Sequence, residues 1–447
     1  MFIKAGRWAP KLIPDNLFLA TVVAVLVALP ANAQSPGEPV SGPGPLTLEA
    51  AVDIALAHNP HLAALGARSD ALGHLPSQAG ALPDPVLSLN ALNLPVDTFS
   101  LDQEPMTQMQ VAFSQSIPFP GKRRLKRAAA ESEARAGIAR VAEERDALTG
   151  AVRAAWWRLL YFEQALEIVE QNKDLMRDFV EIAETKYSVG TGLQQDVLLA
   201  QLELSRLLDR EARLTGRRKI AQADLNALLD RPPDRVTVVA RAALHLGLPE
   251  LPAEQLLLAR AGESRDLLAV HRHLLDAAGE RLALAERDVY PDVRLGAGYG
   301  LRQGFDISRG RDRSDFVSVM LSVTVPLYFG SKQSKAIDQR SSERIQRKFS
   351  LSGALRSIEA DVTRNLASYQ AAREQVQLFD TAIIPQAKQT VAAMLAAYQV
   401  NEVDFLNVVN GQLTLYNAQI DYWEALSEAK RSLAALAAAV GMETLYE

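Results

Sequence analysis

One segment of the chain predicts an unusually long helix. Residues 122–187 contain no proline and only two glycines, Gly137 and Gly150. At about 1.5 Å of rise per residue, such a helix would be roughly 100 Å long. Residues 331–398 repeat the pattern with one internal proline, Pro385, which we expect to kink or loosen the helix. Because a single globular core has no use for helices of this length, the sequence predicts a wall of helices.

Apolar residues in the first long segment recur at alternating three- and four-residue spacing, which is typical of helices that pack along their length. Lys173 is the one polar residue at a position of this series. The apolar members are Val152, Ala155, Leu159, Phe162, Leu166, Val169, Met176, Val180, Ala183 and Tyr187. The spacing favours side-by-side packing of helices.

Shorter helices are predicted near residues 48–78, 193–229, 254–288 and 403–440. We expect helix 193–229 to stack end to end on helix 254–288, and helix 403–440 to stack on helix 48–78. Each stacked pair would then match a long helix in length, so that the chain contributes four helical columns to a tube. An ordinary α-helical repeat bundle is the alternative.

The two halves of the chain repeat one another. The segment Leu82-Pro-Asp-Pro85 corresponds to Tyr290-Pro-Asp-Val293, and Tyr187-Ser-Val-Gly190 corresponds to Tyr398-Gln-Val-Asn401. Both matches have a nearly constant offset of roughly 210 residues, which indicates duplication of one whole unit. We therefore predict a signal peptide over residues 1–33, a first repeat over 34–250 and a second repeat over 251–447.

Each repeat is expected to contain two strands before its long helix, 122–187 in the first repeat and 331–398 in the second. Strands are predicted over about 86–94, 107–117, 293–302 and 316–327, because apolar and polar residues alternate there with a period of two. Such strands suit a membrane barrel, with apolar side chains facing lipid and polar ones facing a lumen. A soluble antiparallel sheet with one wet face would alternate in the same way.

The strand count favours the barrel. Four strands cannot close on themselves, and open sheet edges are not tolerated in lipid. Three copies of the chain would supply roughly 12 strands, which lies within the known range of barrels. The fold class that we predict is mainly α with a small β part: a duplicated unit giving four transmembrane strands per protomer, a 12-stranded trimeric β-barrel and a long periplasmic α-helical barrel.

The N-terminus reads as a secretory signal. A basic start is followed by an uncharged apolar run over residues 17–29, and then by the small residues Ala31 and Ala33 of a cleavage site. The apolar run is shorter than the roughly 20 residues that a membrane-spanning helix needs. A buried core helix is the alternative. We expect the mature chain to begin near Gln34.

Several classes of site are not supported by the sequence. The chain has 0 cysteines, which excludes disulfides and thiolate sites. Its net charge of -5 comes with no basic stripe, so we expect no nucleic-acid partner. His58 and His61 share a face of the predicted first helix, but a third ligand is missing. With no set of nucleophile, base and orienting group, we predict no catalytic residue, no metal site, no cofactor and no enzyme.

The strand-to-helix junction carries a resemblance to a known family. Residues 113–123 read FSQSIPFPGKR, and they follow Leu82-Pro-Asp-Pro85, Asn93-Leu-Pro95 and Asp102-Gln-Glu-Pro105. With the duplication, these motifs resemble the TolC family of outer-membrane efflux proteins over essentially the whole mature chain. The junction resembles the branch that serves heavy-metal pumps of the CzcC and CusC type.

This resemblance implies a homotrimer with a barrel in the lipid of the Gram-negative outer membrane and a helical tunnel in the periplasm. The channel would dock with a periplasmic membrane-fusion adaptor and an inner-membrane resistance-nodulation-division (RND) pump, and would conduct its substrate passively. The junction residues of the two repeats are Pro118 and Gly121, and Pro326 and Gly330.

The resemblance also places a gate at the periplasmic tip, where each long helix turns into a shorter one. Asp196 occupies the position of a carboxylate that bonds a tyrosine across helices, and Tyr398 is that tyrosine. Asn407 and Asn410 occupy the ring positions at which TolC has aspartates. Val403 replaces a basic residue of the second turn, so that one closing salt bridge is expected to be absent.

The tip turns themselves are expected to include Gly190, Asn401, Glu402 and Asp404. Gly190 suits a turn residue with positive φ, and asparagine is the next best residue for such a position. Glu402 and Asp404 would supply acidity near the amide ring. Helix capping and solvation explain these polar residues equally well.

Three functions remain open at the level of sequence. The first is the outer-membrane channel of a metal-exporting tripartite system. The second is the same channel serving drugs, solvents or a secreted polypeptide. The third is of another class, a periplasmic coiled-coil adaptor or structural protein, for which one hairpin and no duplication would be expected.

Overall fold

The structure is a computed structural model of the chain and describes residues 45–240, 246–400 and 402–446. The first repeat contains α1 (Leu48–His58), α2 (Pro60–Gly73), α3 (Leu75–Gly80), β1 (Val86–Leu92), β2 (Gln108–Ile117), α4 (Lys122–Ser188) and α5 (Gln194–Leu228). The second contains α6 (Glu254–Ser264), α7 (Asp266–Arg287), β3 (Val293–Leu301), β4 (Phe305–Asp306), β5 (Arg311–Asp312), β6 (Phe316–Val323), α8 (Gln333–Leu378), a π-helical segment (Phe379–Ile383), α9 (Ile384–Gln399) and α10 (Phe405–Val440). The predicted class, mainly helical with a small sheet, is confirmed.

The first long helix is observed as α4, which runs from Lys122 to Ser188 without interruption. It begins after Gly121, whose φ of 95° lies in the left-handed region. The apolar series of α4 is buried or half-buried along its length, with one difference. Tyr187, the last member, is 49% exposed because it lies at the tip, where α4 ends and its neighbour α5 has not yet begun.

The second long helix contains the irregularity that Pro385 predicts. Regular helix ends at Leu378, and the π-helical segment Phe379–Ile383 precedes α9, which has the proline in its first turn. A proline inside a helix cannot donate a hydrogen bond, and its ring clashes with the carbonyl four residues earlier, here that of Thr381. The wider π turn accommodates both effects and keeps α8 and α9 in one column.

A four-stranded antiparallel sheet has the order β1-β2-β3-β6. Its register aligns apolar residues in rows across the strands, for example Leu89, Val111, Tyr299 and Val317. These four side chains are between 45% and 75% exposed. The predicted apolar face is therefore present, and the protomer leaves it uncovered.

The opposite face of the sheet is polar and rich in glycine. Gly298 and Gly300 lie across the β2–β3 ladder from Ala112 and Gln110. A Cβ atom added at Gly298 would come within 2.8 Å of the Gln110 amide nitrogen. The glycine is therefore what allows this glutamine side chain to lie flat over the sheet.

The strands end earlier than predicted. The first ends at Leu92 instead of residue 94, because Asn93 adopts a φ of 54° and leaves the extended conformation. The last ends at Val323 instead of residue 327, because its partner strand β3 begins opposite it at Val293, directly after Pro291 and Asp292. Of the described residues, none belongs to a helix with the length and apolarity that crossing a membrane requires.

Two of the predicted shorter helices are in fact interrupted, which corrects the sequence analysis. Helix 48–78 is broken at Asn59, whose side chain caps α2 by accepting from the Leu62 N–H, with Pro60 as the first helical residue. His58 and His61 therefore lie on different helices. Helix 254–288 is broken at Arg265, because the Glu143 carboxylate binds its guanidinium and accepts the Leu267 N–H.

The predicted end-to-end stacking was also wrong. The Asn59 amide donates to the Leu228 carbonyl at 3.2 Å, so α5 ends against the start of α2. The Ser264 hydroxyl donates to the Val440 carbonyl at 3.1 Å, so α10 ends against the α6–α7 junction. Each column therefore pairs two elements of the same repeat, as expected when one unit is duplicated with its internal contacts intact.

The polar residue in the apolar series of α4 has its own counterions. Lys173 is only 4% exposed, and its ammonium binds Glu170 at 2.6 Å and Glu211 of α5 at 2.7 Å. The bonds to Glu170 and Glu211 raise the pKa of Lys173 above its ordinary value despite the opposing effect of burial. The lysine is thus a charged link between α4 and α5.

We predict that removing both counterions destabilises the protein more than removing the lysine does. Glu170→Gln with Glu211→Gln leaves a buried ammonium without a partner, which costs about 3 kcal/mol, whereas Lys173→Met removes the charge and costs much less. Thermal unfolding of the purified protein, followed by circular dichroism, measures both. A lower melting temperature for Lys173→Met than for the double variant would contradict the prediction.

A candidate gate at the helical tip

The first tip turn joins α4 to α5 through a glycine. Gly190 has a φ of 78°, in the left-handed region that favours glycine. Beyond it, the N–H groups of Thr191 and Gly192 both donate to the Lys186 carbonyl at 2.9 Å. The turn is thus fixed to the last turn of α4 at Lys186.

The second tip turn joins α9 to α10. Asn401 lies outside the described residues. Glu402 donates its N–H to the Ala397 carbonyl at 2.9 Å, and the extended backbone of Asp404 precedes α10. Asp404 makes no side-chain capping bond to α10, and the side chains of Glu402 and Asp404 are exposed.

Tyr398 lies in an aromatic and cationic environment within its own protomer. The Lys186 ammonium is 3.9 Å from the centroid of the Tyr398 ring. The ring of Phe405 in α10 lies 5.8 Å from Tyr398, and Phe179 of α4 lies 5.8 Å from Phe405. This cluster joins the two tip turns. Sequence analysis missed Lys186, Phe179 and Phe405, although Phe405 immediately begins the helix after the Tyr398 turn.

Asp196 does not meet Tyr398 inside the protomer. It lies half-buried in the first turn of α5, where its N–H donates to the Leu193 carbonyl at 3.1 Å. In the described part of one protomer, no hydrogen bond joins its carboxylate to the Tyr398 hydroxyl. A bond between these residues stays a prediction, and it would have to form between neighbouring protomers.

The two asparagines lie on one exposed face of α10. Asn407 and Asn410 are both exposed, whereas Phe405, Val408 and Val409 on the other side of the helix are buried. Asn417 continues the exposed face two turns farther from the tip. The amide side chains are therefore free to line a space outside the protomer, as a constriction requires.

At the opposite end of α4, the first strand-to-helix junction is tightly bonded. After Pro118, the Phe119 N–H donates to the Asp292 carboxylate at 2.8 Å, and the Phe119 ring stacks on Tyr290 at 4.6 Å. Lys122 is 4% exposed and donates to the same carboxylate at 2.9 Å. Burial acts to raise the pKa of Asp292, but the bonds from Lys122 and Phe119 hold it below its ordinary value.

Among the described residues, no bond equivalent to that between Lys122 and Asp292 forms at the second junction. Pro326 follows β6 and Gly330 precedes α8, but Gly330 has no positive φ and nothing lies within 4 Å of its side-chain position. Lys332, which corresponds to Lys122, is exposed. The second junction therefore kept the sequence pattern, whereas the first junction has the ion pair, between Lys122 and Asp292, that links the two halves there.

Both halves of the chain match the model of one known protein family. The family model described as outer membrane efflux protein matches residues 51–231 and again residues 257–442, once in each half. The chain belongs to the outer membrane efflux protein family. The predicted location in the outer membrane and the predicted class of function, an efflux channel, are confirmed. The relatives of this outer membrane efflux protein are channel proteins, not enzymes.

Individual relatives are similar along nearly their full length. The cobalt-zinc-cadmium resistance protein CzcC of Cupriavidus metallidurans is 24% identical over 416 residues, which cover 92% of this chain and 94% of CzcC. The outer membrane protein VceC of Vibrio cholerae has a TM-score of 0.72 at 21% identity, covering 90% of this chain and 97% of VceC. CusC has a TM-score of 0.72 at 16% identity, covering 88% and 92%. The fold of this outer membrane efflux protein is that of these channels.

We predict that Tyr398→Phe raises the uptake of a large antibiotic such as vancomycin by cells that express this channel. The substitution removes the hydroxyl that would bond Asp196 of a neighbouring protomer and so loosens the closed state. Tyr416→Phe is the matched control, because the buried Tyr416 hydroxyl finds no hydrogen-bond partner in the described part of the chain. Equal uptake by wild type and Tyr398→Phe would show that the hydroxyl is not part of a lock.

We also predict that Asn407→Asp with Asn410→Asp makes the channel sensitive to divalent cations. A ring of carboxylates binds such ions, whereas a ring of amides constricts the pore without that charge. The measurement is current through the purified protein in a planar lipid bilayer while Co²⁺ or Zn²⁺ is added. Asn417→Asp, on the same helix face, is the control; block of wild type and variant at equal concentrations would contradict the prediction.

Proposed function

We propose that this chain is one protomer of a homotrimeric channel in a tripartite efflux system, working with a periplasmic membrane-fusion adaptor and an inner-membrane RND pump. The observation that carries this proposal is the four-stranded sheet with an uncovered apolar face. The first and last strands of this sheet, β1 and β6, each pair with one neighbour only.

The open edges support a trimer. In lipid, the free N–H and C=O groups along β1 and β6 must be paired, and a second copy can supply the missing neighbour. Three copies close a barrel of roughly 12 strands. This number lies within the range of known barrels, which begins at about 8 strands. The long columns of α4 and α8–α9 would then continue the barrel as a tube of helices.

The tip suits contact with an adaptor. Exposed apolar side chains cluster at its turns, with Val189 at 67%, Leu193 at 59% and Val400 at 65% exposure. Asp196, Tyr398, Asn407 and Asn410 lie on the helices that begin or end at the same turns. An adaptor bound there would directly contact the elements that open and close the constriction.

For the cargo, we propose heavy-metal cations that the pump delivers. The similarity to a cobalt-zinc-cadmium resistance protein over 92% of this chain supports this assignment. The same channel could serve drug or solvent efflux, or polypeptide secretion, because selectivity in such a system belongs mainly to the pump. The amide ring of Asn407 and Asn410 fits a channel that lets cations pass without binding them.

Deletion of the gene tests the cargo. We expect lower resistance to Co²⁺, Zn²⁺ and Cd²⁺, restored by the wild-type gene, with little change on a panel of dyes. Unchanged metal resistance together with lost dye resistance would reject the metal assignment and favour drug efflux.

Fractionation of cells tests the class of protein. The channel is expected in outer membranes as a heat-modifiable trimer on gels. A monomer found only in the soluble periplasm would exclude both channel functions and favour an adaptor or structural role.

A further inference from the structure

We propose that Lys186 holds the tip shut through the aromatic ring of Tyr398, in a clasp that forms within each protomer. The clasp joins the α4–α5 hairpin to the α9–α10 hairpin. This inference rests on the proposed function as a gated channel, and it adds a residue, Lys186, and a type of contact, cation–π, to the gate.

The distance and the surroundings support an attractive contact. The Lys186 ammonium lies 3.9 Å from the centroid of the Tyr398 ring, well inside the range in which the ring quadrupole attracts a cation. In the described chain, Lys186 forms no ion pair with a carboxylate, so the ring is its main partner. Both residues are half-buried, which removes part of the screening by water.

The backbone of Lys186 is fixed independently of its side chain. Its carbonyl accepts the N–H groups of Thr191 and Gly192 at 2.9 Å and the Thr191 hydroxyl at 3.2 Å. A Cβ atom added at Gly192 would be 2.8 Å from the Lys186 Cβ, so the turn closes directly against this residue. The ammonium therefore extends from a rigid point, and little of its attraction is lost to backbone motion.

The Tyr398 ring also packs against the aromatic cluster. Tyr398 packs at 5.8 Å against Phe405, which is 2% exposed, and Phe405 packs against Phe179 of α4. Moving the α9–α10 hairpin away from α4 would separate Tyr398 from Lys186 and also Phe405 from Phe179. The clasp is thus one of the contacts between the hairpins that opening has to break.

The substitutions of Tyr398 separate the ring from the hydroxyl. Tyr398→Phe keeps the ring and therefore the clasp, and it removes only the bond proposed with Asp196 of a neighbour. Tyr398→Leu removes both. If Tyr398→Leu opens the channel more than Tyr398→Phe does, the ring itself contributes to the closed state.

The experiment measures open-channel occupancy of purified trimers in planar lipid bilayers. We expect Lys186→Met to raise occupancy about 10- to 150-fold, because all three protomers lose a contact that is worth about two- to five-fold each. Lys186→Arg keeps a cation over the ring and should behave as wild type. Arg210→Met is the matched control, because Arg210 lies 5.3 Å from the Tyr416 ring, away from the tip.

A double variant completes the test. If the two side chains act through one contact, Lys186→Met with Tyr398→Leu should open the channel no more than Tyr398→Leu alone. All variants are compared as heat-modifiable trimers, so that a folding defect is recognised before conductance is measured.

The outcomes are distinct. Equal occupancy for wild type, Lys186→Met and Lys186→Arg would overturn the clasp, as would fully additive effects in the double variant or a leucine effect no larger than that of phenylalanine. A wild-type protein that forms no channel at all would overturn the proposed function itself, and the clasp with it.

Discussion

The pairing of backbone groups at the edges of the sheet is the constraint on which the rest of the structure depends. A free N–H or C=O in hydrocarbon costs several kcal/mol, so strands with an apolar face such as β1 and β6 cannot remain half-paired in a membrane. Closure by sister chains makes a hollow barrel, and a hollow barrel of about twelve strands requires a helical wall of similar circumference. Each protomer contributes four columns to that wall. Two are the long helices, and each of the other two is a pair of shorter helices that meet end to end within one repeat.

The first junction transmits this constraint from strands to helices. Asp292 belongs to the second repeat, yet it binds the Phe119 N–H and the buried Lys122 ammonium of the first. A buried charge that loses its partner is strongly destabilising, so the two halves are held in one register where sheet becomes helix. At the second junction, Lys332 is exposed, and that end of α8 is free to pack against another copy.

The sequence predicted what depends on local pattern and missed what depends on distant contacts. The proline-free run gave α4, and Pro385 marked the π-helical segment beside it. The breaks at Asn59 and Arg265 were both missed. The break at Arg265 could not be seen in the sequence, because it needs Glu143 of another helix as its cap. The stacking order was wrong because helix lengths fit either pairing, and only the bonds from Asn59 to Leu228 and from Ser264 to Val440 decide between them. The contact of Lys186 with Tyr398 joins residues from different repeats, which no spacing reveals.

The composition of the tip determines how strongly the closed state can be held. In the proposed gate, Val403 takes the place of a basic residue that would form a salt bridge, and the proposed ring positions carry amides, so contacts of aromatic rings would replace strong charge pairs at the constriction. A cation–π contact of this exposure is worth about 0.5–1 kcal/mol, and three of them in a trimer give about 1.5–3 kcal/mol. Binding of a partner protein at the exposed tip residues easily supplies that difference. If the proposed gate is correct, a passive channel closed by such weak contacts would open on docking of the proposed adaptor, without a fuel of its own.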